Sequence, residues 1–599
     1  MSHPVTTAFR PSSRRRNHPM AWAVAVALGT AVAPASQAQQ AFSPGWFADR
    51  GAAQGAAAQS GRMPNGVPIQ FQLPAQQQDA ARQKLQQSID NLGTAAQAIA
   101  LQQRLQEQAR QARRDAGFVV ADGLGKDGLN VDENPLTRGW INARQASQSQ
   151  GSDGRVLVSI EQTADKAILN WETFNVGGNT TLNFVQNPDW AVLNRVNDPN
   201  ARPSQILGQL KADGTVFVAN RNGVVFGNNS QVNVRNLLAA AARISDTQFN
   251  EQGLYSVNAS SDALIDAFGK VMVERGARIA THEPNTATRG GGYVLLAGRS
   301  VENAGQIETR KGQAQLAAGD SFVIRRGVGT AQNTSSTTAG NEIAPRFVAG
   351  STAGDVRNSG LIQAREGDVT LAGRTVQQAG VVVATSTLNH RGTVHLLTSA
   401  ADKKGSVTLA EGSTTAILLE DDGKTTALDS QRQALLEQSA LQDGVRSTVA
   451  QGAFDNLSRL QDRRDQSRVE IVSGGTVEAQ RGSLTLATGG QVVVDAQQRA
   501  LLADGARLDV SGATGVNVAM ESNQLEINVQ GNELRDSPDN RDSVKLASTK
   551  VWVDRRGLVQ LPAGTGGSEG ERWYAAGGLL EVGGYLGNQG HSIGEWGAQ

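Results

Sequence analysis

A short template that recurs from residue 292 onward constrains the fold of this chain more than any other feature. It reads Gly-x-Ile-x-Thr-x-x-Gly-x-Ala-x-Leu-Ala from Gly305 to Ala317, and it returns from Gly360 to Ala372 and from Gly475 to Ala487, with partial copies after Gly292 and Gly392. Each copy alternates apolar and polar residues on both sides of a glycine. This pattern predicts two short β-strands joined by a tight turn.

The spacing between copies gives the size of the repeating unit. Leu296 and Leu316 are 20 residues apart, and Leu371 and Leu396 are 25 residues apart, which is about one coil of a β-solenoid. A single coil cannot bury its apolar side alone, so stacked coils must share a continuous interior. The sequence therefore predicts an all-β fold, a right-handed parallel β-helix (β-solenoid) with helical insertions. We expect Leu316, Leu371 and Leu486 to point into its interior, and Gln315, Thr370 and Thr485 to point outward.

Composition supports this class and excludes several functions. The chain of 599 residues has 67 Gly, 4% aromatic residues and a formal net charge of +0, which suits many short strands and gives no electrostatic reason to expect nucleic acid. It has no Cys, which excludes disulfides, thiol catalysis and Cys-based metal sites. A chain without Cys is also suited to crossing an oxidising periplasm unfolded.

The stretch from Ile168 to Ile244 shows the same strand signature upstream of the repeats. Val216, Val218, Val224 and Phe226 alternate with other residues at period two, and Asn222-Gly223 lies between the two pairs. Asn and Gly both tolerate positive φ, so Asn-Gly is a strong turn signal. We expect this turn to set how the two flanking strands pair.

The same stretch contains many residues that match a known pattern in order. They are Asn170-Trp171, Phe174-Asn175-Val176-Gly177, Val192-Leu193-Asn194-Arg195-Val196, Gln205-Ile206-Leu207-Gly208, Leu210, Asp213-Gly214, Val216-Phe217-Val218, Asn220-Arg221-Asn222-Gly223-Val224 and Phe226-Gly227. This set resembles the secretion domain of two-partner-secretion exoproteins, the filamentous haemagglutinin and high-molecular-weight adhesin family. The family usually has Pro where this chain has Arg221, so the turn loses a restriction on φ, but both Asn residues and the Gly are retained.

The resemblance implies a function, its partners and a set of site residues. It implies a secreted or surface-exposed adhesin that passes through an outer-membrane β-barrel transporter with periplasmic POTRA repeats and then binds a protein or glycan receptor on a host or bacterial cell. Alternatives are a carrier stalk for a contact-dependent toxin and, less favoured, a β-helix enzyme that degrades polysaccharide. The residues implied in transporter recognition or in a structural turn are Trp171, Phe174, Asn175, Asn194, Arg195, Asn220, Asn222 and Gly223.

The N-terminus predicts export by the Sec pathway. Arg10 and Arg14 to Arg16 form a basic region, an apolar run extends from Met20 to Val32, and Ser36-Gln37-Ala38 supplies small residues for cleavage. The run is too short to span a bilayer as a helix, and no later segment reaches roughly 18 apolar residues. We therefore expect a signal peptide at 1–38 and no integral membrane segment in the mature chain.

Changes in composition divide the remaining chain. Residues 76–115 are rich in Gln, Ala and Arg, with Leu and Ile at helical spacings, and predict a solvated helix or a short coiled coil. The Gly-rich chain end, without a polar cap, predicts the front portion of a longer protein, and residues 521–599 resemble a segment of very large haemagglutinin-like exoproteins. The predicted divisions are 39–118 (linker and helical segment), 119–300 (β-helical secretion domain), 301–422 (solenoid repeats), 423–468 (helical insertion) and 469–599 (solenoid and C-terminal segment).

No residue pattern predicts catalysis, a metal or a cofactor. His390 and His395 are five residues apart in a predicted turn, but no His-x-x-x-His with a Glu occurs. No Gly-x-Ser-x-Gly nucleophile elbow is evident in a strand-to-helix context, and the phosphate-loop motif is absent. A polysaccharide-degrading solenoid would need carboxylates clustered on neighbouring coils. Asp320 and Asp368 are the candidates, although Asp after Gly is also ordinary turn chemistry.

Overall fold

The computed structural model describes residues 75–116, 120–133, 139–282, 292–326, 341–386, 392–419 and 467–512, and the backbone of short strands beyond residue 523. The predicted signal peptide and linker lie outside these residues, as do residues 420–466, which hold nearly all of the predicted helical insertion. Strands are numbered here in chain order. Among the described residues, no helix is both long and apolar enough to cross a bilayer.

Three parallel sheets form the sides of the solenoid, and successive strands along the chain belong to different sheets. Sheet 1 contains β4 (Lys166–Phe174), β6 (Ala191–Val196), β13 (Tyr293–Gly298), β16 (Gln313–Ala318), β21 (Asp368–Gly373), β24 (Thr393–Thr398), β27 (Arg468–Ser473) and β30 (Gln491–Ala496). Sheet 2 contains β3 (Val156–Glu161), β5 (Thr180–Val185), β12 (Arg278–Thr281), β15 (Gln306–Arg310), β20 (Leu361–Arg365), β23 (Val381–Ser386), β26 (Thr414–Leu419), β29 (Leu484–Ala487) and β32 (Arg507–Asp509).

Two long strands, β8 (Gln209–Ala219) and β10 (Gln231–Ala240), turn the corner between these sheets, so their first halves belong to sheet 2 and their second halves to sheet 1. Sheet 3 contains β7 (Ser204–Ile206), β9 (Gly223–Phe226), β11 (Lys270–Val273), β14 (Ser300–Asn303), β19 (Asp355–Asn358), β22 (Thr375–Gln378), β25 (Ser406–Leu409), β28 (Thr476–Ala479) and β31 (Arg499–Leu502). The predicted right-handed parallel β-helix is the fold of this chain.

Strand register confirms the predicted coil length. Leu296 pairs with Leu316, and Leu371 pairs with Leu396, so each pair marks one step along the solenoid. Leu316 and Leu371 also pair with each other, and all four leucines lie in one interior apolar cluster. The inward direction predicted for Leu316 and Leu371 is therefore correct.

The inward direction predicted for Leu486 and the outward direction predicted for Thr485 are wrong, whereas Gln315 and Thr370 point outward as predicted. The third template copy forms β28 and β29, in sheets 3 and 2, whereas the first copy forms β15 and β16, in sheets 2 and 1. Leu486 packs on the outer side of sheet 2 with a helix, so Thr485 faces the interior. Gln315 and Thr370 are buried too, because further segments cover the outer side of sheet 1.

Segments that leave the solenoid cover two of its three outer sides. Two segments pack on sheet 1. One is the excursion between β10 and β11, which contains a π-helical turn at Gln248–Gln252. The other is the antiparallel hairpin of β17 (Ser321–Arg326) and β18 (Asn341–Arg346). Helix α1 (Ala75–Ala116) is the helix predicted for residues 76–115. It packs on sheet 2 instead of on another helix, so the expectation of a solvated helix or coiled coil is wrong for its apolar side.

Antiparallel strands close the N-terminal end of the solenoid. β1 (Leu129–Val131) pairs with β4, and β2 (Ser147–Gln150) pairs with β3. These strands satisfy backbone groups that an open edge would expose. Beyond residue 523 the backbone forms short antiparallel pairs from β33 (Gln524–Asn528), β34 (Lys550–Asp554), β35 (Leu558–Leu561), β36 (Arg572–Ala575), β37 (Leu580–Gly583), β38 (Leu586–Gly587), β39 (Gly590–His591) and β40 (Glu595–Ala598).

Candidate functional site

The eight candidate residues lie near one corner of the first coils. Seven of them occur within or just after β4, β6 and β8, which are successive strands of sheet 1, and Gly223 begins β9 of sheet 3. The chain leaves sheet 1 here and turns toward sheet 3. Residues that are up to 52 positions apart in sequence, from Trp171 to Gly223, therefore come to one corner of the fold.

The turn from Asn220 to Gly223 is held by the side chain of its first residue. The Asn220 Oδ1 accepts a hydrogen bond from the Asn222 N–H at 3.0 Å, and its Nδ2 donates to the Arg202 carbonyl and to Ser204 Oγ, both at 3.0 Å. The Gly223 N–H closes the turn on the Asn220 carbonyl at 2.9 Å. Asn220 is fully buried, so its amide links the turn to the start of sheet 3 in the preceding coil.

Gly223 is required by both conformation and space. Its φ is +131°, in the region that side chains disfavour, and an added Cβ would lie 2.8 Å from the Lys270 carbonyl oxygen in the next coil. Asn222 is half-buried, and it takes part in the turn through its backbone N–H. Of the two Asn residues in the motif, Asn220 therefore supplies the side-chain bonds.

The expectation that this turn pairs its flanking strands is wrong. β8 pairs with β5, β6 and β10, whereas β9 pairs with β7 and β11. The turn is a corner of the solenoid, and the two strands belong to different sheets. In a β-helix, strands pair with their equivalents one coil away, so the turn fixes the direction of the chain and not a hairpin register.

Trp171 and Asn194 form a buried polar contact beneath this corner. The Trp171 Nε1–H donates to Asn194 Oδ1 at 3.0 Å, and Asn194 Nδ2 donates to the Phe217 carbonyl at 3.2 Å. Trp171 contacts Phe174 edge to face, with ring centroids 5.4 Å apart. All of these side chains are buried, so the amide of Asn194 satisfies polar groups that water cannot reach.

We expect Asn194→Ala to destabilise the domain by about 2–4 kcal/mol, because it leaves the buried indole N–H of Trp171 without its partner and removes a second bond. Chemical denaturation of the purified domain measures the change. The matched control is Asn183→Ala, at a half-buried position of β5, which should cost much less. Equal losses for the two variants would contradict a special role of Asn194.

Asn175 and Arg195 connect the corner to flanking segments. Asn175 Oδ1 accepts from the Gln205 N–H at 2.8 Å, and its Nδ2 donates to the Asp127 carbonyl in the N-terminal cap at 3.0 Å. Arg195 forms an ion pair with Asp246 and donates to the Ile244 carbonyl, which ties the excursion on sheet 1 to β6. Both residues are only partly buried.

Sequence reasoning missed two contributors to this corner. Trp140 stacks at a tilt against Trp171, with ring centroids 4.9 Å apart, and donates its indole N–H to the Asn170 carbonyl. Arg202 bridges Asp127 and Asp198, and its hydrogen bonds to Asp127 and then Asp198 raise its pKa above the ordinary value. The apolar pair Trp140-Ile141, upstream of β3, was the only sequence signal for Trp140. The sequence did not show that Trp140 packs against Trp171, because the tertiary fold brings these two residues together.

The candidate carboxylates for polysaccharide cleavage do not come together. Asp368 pairs in register with Gln313 at the start of β16, whereas Asp320 lies beyond the opposite end of that strand. Asp320 accepts from the Val348 N–H and Ser351 Oγ, and Asp368 accepts from the N–H and Oγ1 of Thr393. Each carboxylate therefore serves its own local turn or strand end.

His395 lies in strand β24 and not in the predicted turn, and His390 lies outside the described residues. His395 is fully buried, with Nδ1 2.9 Å from a Glu470 carboxylate oxygen and Nε2 3.1 Å from Thr393 Oγ1. Both ring nitrogens thus have partners, Thr393 in the same strand and Glu470 in the neighbouring strand β27. This arrangement is a packed polar contact between coils.

Comparisons with known proteins find one matching family and several similar proteins. Residues 137–418 match the family described as TPS secretion domain. Two curated relatives from Haemophilus influenzae are both named heme/hemopexin-binding protein. One is 31% identical over 225 residues, which are 37% of this chain and 22% of that protein. The other is 39% identical over 99 residues, which are 16% of this chain and 10% of that protein. The matched segments thus span about a fifth or less of these relatives.

Two solved structures also match at low similarity. They are the HMW1 secretion domain from Haemophilus influenzae, with a TM-score of 0.34, and a filamentous hemagglutinin secretion domain, with a TM-score of 0.27. Each is 16% identical and covers 62% of this chain and 100% of the matched chain. The fold assignment rests on the strand pairing described above.

Proposed function

Since residues 137–418 of this chain are a two-partner secretion (TPS) domain of the filamentous haemagglutinin and high-molecular-weight adhesin family, we propose that the chain is exported through a dedicated outer-membrane transporter and acts as an adhesin outside the cell. The match to the TPS secretion domain is the observation that carries this proposal. The partner is a β-barrel with periplasmic POTRA repeats, and the predicted Sec signal at 1–38 delivers the chain to it.

The burial of the corner residues supports recognition before folding. Trp171, Phe174, Asn194, Asn220 and Gly223 are all buried in the folded domain, so a transporter has access to their side chains only while the chain is unfolded. An unfolded period-two segment also offers unpaired backbone groups, which a partner can bind by adding a strand to its own sheet. Export in the unfolded state, followed by coil stacking outside, supplies direction without ATP.

The uncovered side of the solenoid supports a binding role for the folded product. In the part of the chain that the structure describes, helix α1 covers sheet 2 and the excursion and hairpin cover sheet 1, whereas sheet 3 keeps its outward side chains accessible. That side presents polar and charged groups, among them Asp355, Arg357 and Arg499 and the ion pair of Lys270 with Glu302. We place receptor binding on this side.

Two other binding roles are alternatives to adhesion. The matched relatives are named for binding of heme and hemopexin, and binding of such a ligand is the first alternative. A carrier stalk for a toxin would use the solenoid only as a spacer. The separation of Asp320 from Asp368 favours binding over polysaccharide cleavage. Parallel assays of the secreted chain against cells, glycans, hemin and hemopexin distinguish these roles.

We expect secretion to require both the signal and the transporter. The full chain, expressed with its POTRA-containing partner, should be found in the medium or at the cell surface, and without the partner it should stay in the periplasm. Deletion of residues 1–38 should leave it in the cytoplasm. Fractionation and blotting measure all three. Appearance of the intact chain outside the cell in the absence of any transporter would overturn the export proposal.

A further inference from the structure

Helix α1 lies along the outer side of sheet 2 and spans its strands from β12 to β32. In the first half of the helix, Asn91 Nδ2 donates to Asp509 Oδ2 at 2.7 Å, and Asn91 Oδ1 accepts from Arg507 at 3.0 Å; both partners are in β32. Near its end, Arg110 donates to the Gly276 carbonyl just before β12. The 19 steps from Asn91 to Arg110 rise about 28 Å in a helix. The six strand spacings from β12 to β32 amount to about 29 Å.

The middle of the interface is apolar. Leu92, Ala95, Ala96 and Ile99 form one stripe of the helix and are buried. They pack on the outward side chains of four successive strands, β20, β23, β26 and β29, and these are Leu361, Val381, Val383, Ala416, Leu418, Leu484 and Leu486. The interior side of the same strands is apolar as well, so these strands are buried on both sides.

The second half of the helix caps the corners of three successive coils with side chains one helical turn apart. Gln102 donates to the Ser359 carbonyl at 3.3 Å, before β20. Gln106 donates to the Ala304 carbonyl at 2.8 Å, before β15, and accepts from the Gly276 N–H at 2.6 Å, before β12. Gln106 is fully buried, so both halves of its amide satisfy backbone groups of the solenoid.

We propose that α1 is a strap that docks on the completed solenoid and couples its last coils to its middle. The groove exists only when coils from Gly276 to Asp509 have stacked, although these residues are 233 positions apart in the chain. Coils of a solenoid otherwise contact only their neighbours and open from the ends. A helix that contacts every coil from β12 to β32 makes opening of the last coils depend on its own release. This inference concerns the folded chain and does not depend on the export route.

Hydrogen exchange on the full-length chain tests the coupling with matched substitutions on two sides of the helix. Ile99→Asp places a carboxylate in the buried stripe, whereas Leu101→Asp makes the same change at a position that is 51% exposed. In Ile99→Asp we expect the amides of α1 to lose protection and those of β29 and β32 to exchange at least about tenfold faster, with β8 and β10 unchanged. Leu101→Asp should behave as the wild type.

A milder pair tests the amide contacts in case Ile99→Asp disturbs folding. Gln106→Ala raises the intrinsic helix propensity of α1 but removes both hydrogen bonds from this residue to the solenoid. We therefore expect the α1 amides to exchange faster by about fivefold or more, and loss of docking is the cause, since the helix itself is not weakened. Gln103→Ala, on the exposed side, is its control. Unchanged protection of β29 and β32 after α1 is released would overturn the proposal, as would equal effects of the paired variants.

The order of events gives an independent test. During refolding of the full chain, pulse-labelled amides of α1 should become protected together with β29 and β32 or after them, because the groove must form first. An isolated helix gives little protection of its own. Strong protection of α1 before these strands would contradict docking on a completed solenoid.

Discussion

Leu371→Asp should unfold the coils on both sides of the substituted strand. Leu371 is fully buried in the interior cluster and stacks between Leu316 and Leu396 of the adjacent coils. The change removes the contacts of a buried leucine, at about 2–5 kcal/mol, and places an unpaired carboxyl group in an apolar interior, at further cost. Because coils stabilise each other through their shared surfaces, loss of one weakens its neighbours. Circular dichroism and thermal melting of the purified chain measure the loss.

Leu502→Asp is the matched control, because Leu502 is also in a solenoid strand but is 51% exposed. It should change the melting temperature little. A folded Leu371→Asp protein with wild-type circular dichroism and melting would contradict the placement of this residue in a packed interior.

Gly223→Val and Asn220→Ala should each reduce secretion sharply when the chain is expressed with its transporter. Gly223→Val forces a branched side chain into a positive-φ position next to the Lys270 carbonyl. Asn220→Ala removes three hydrogen bonds from a buried corner, about 3 kcal/mol in total. If the corner cannot form, coils do not stack outside the cell, and periplasmic precursor accumulates or is degraded. Blotting of medium against periplasm measures the effect.

Two further variants distinguish the contributions of the side chains in this turn to secretion. Asn222→Ala should reduce secretion less than Asn220→Ala, because Asn222 contributes its backbone N–H to the turn. Arg221→Pro restores the pattern usual in the family, and it should leave secretion equal or improved despite loss of the contact between Arg221 and the Phe268 ring, 5.1 Å away. If Asn220→Ala lowers stability in vitro but secretion stays normal, the turn belongs to the fold alone and not to export.

The alternation of apolar and polar residues and the spacing of the repeats predicted most of the fold. Alternation at period two placed strands, glycine and asparagine placed corners, and the distances from Leu296 to Leu316 and from Leu371 to Leu396 set the coil length that the register confirms. These features depend on neighbouring residues or on the equivalent residue one coil away, so they can be predicted from the sequence alone. The candidate corner was located differently, by residues that match in order the pattern of the two-partner-secretion family.

Only the tertiary structure decided which side of a strand faces the interior where both sides are apolar. Leu484 and Leu486 fit an inward assignment by pattern, yet they pack on α1, which precedes them by almost 400 residues in the sequence. Runs such as Val381-Val382-Val383 already break the alternation, as strands buried on both sides do, but such a run does not say what covers it. Likewise, the sequence determined that the chain turns from Asn220 to Gly223. Only the packing of successive coils decided that this turn is a corner between two sheets, because the residues it contacts, Arg202, Ser204 and Lys270, come from other coils.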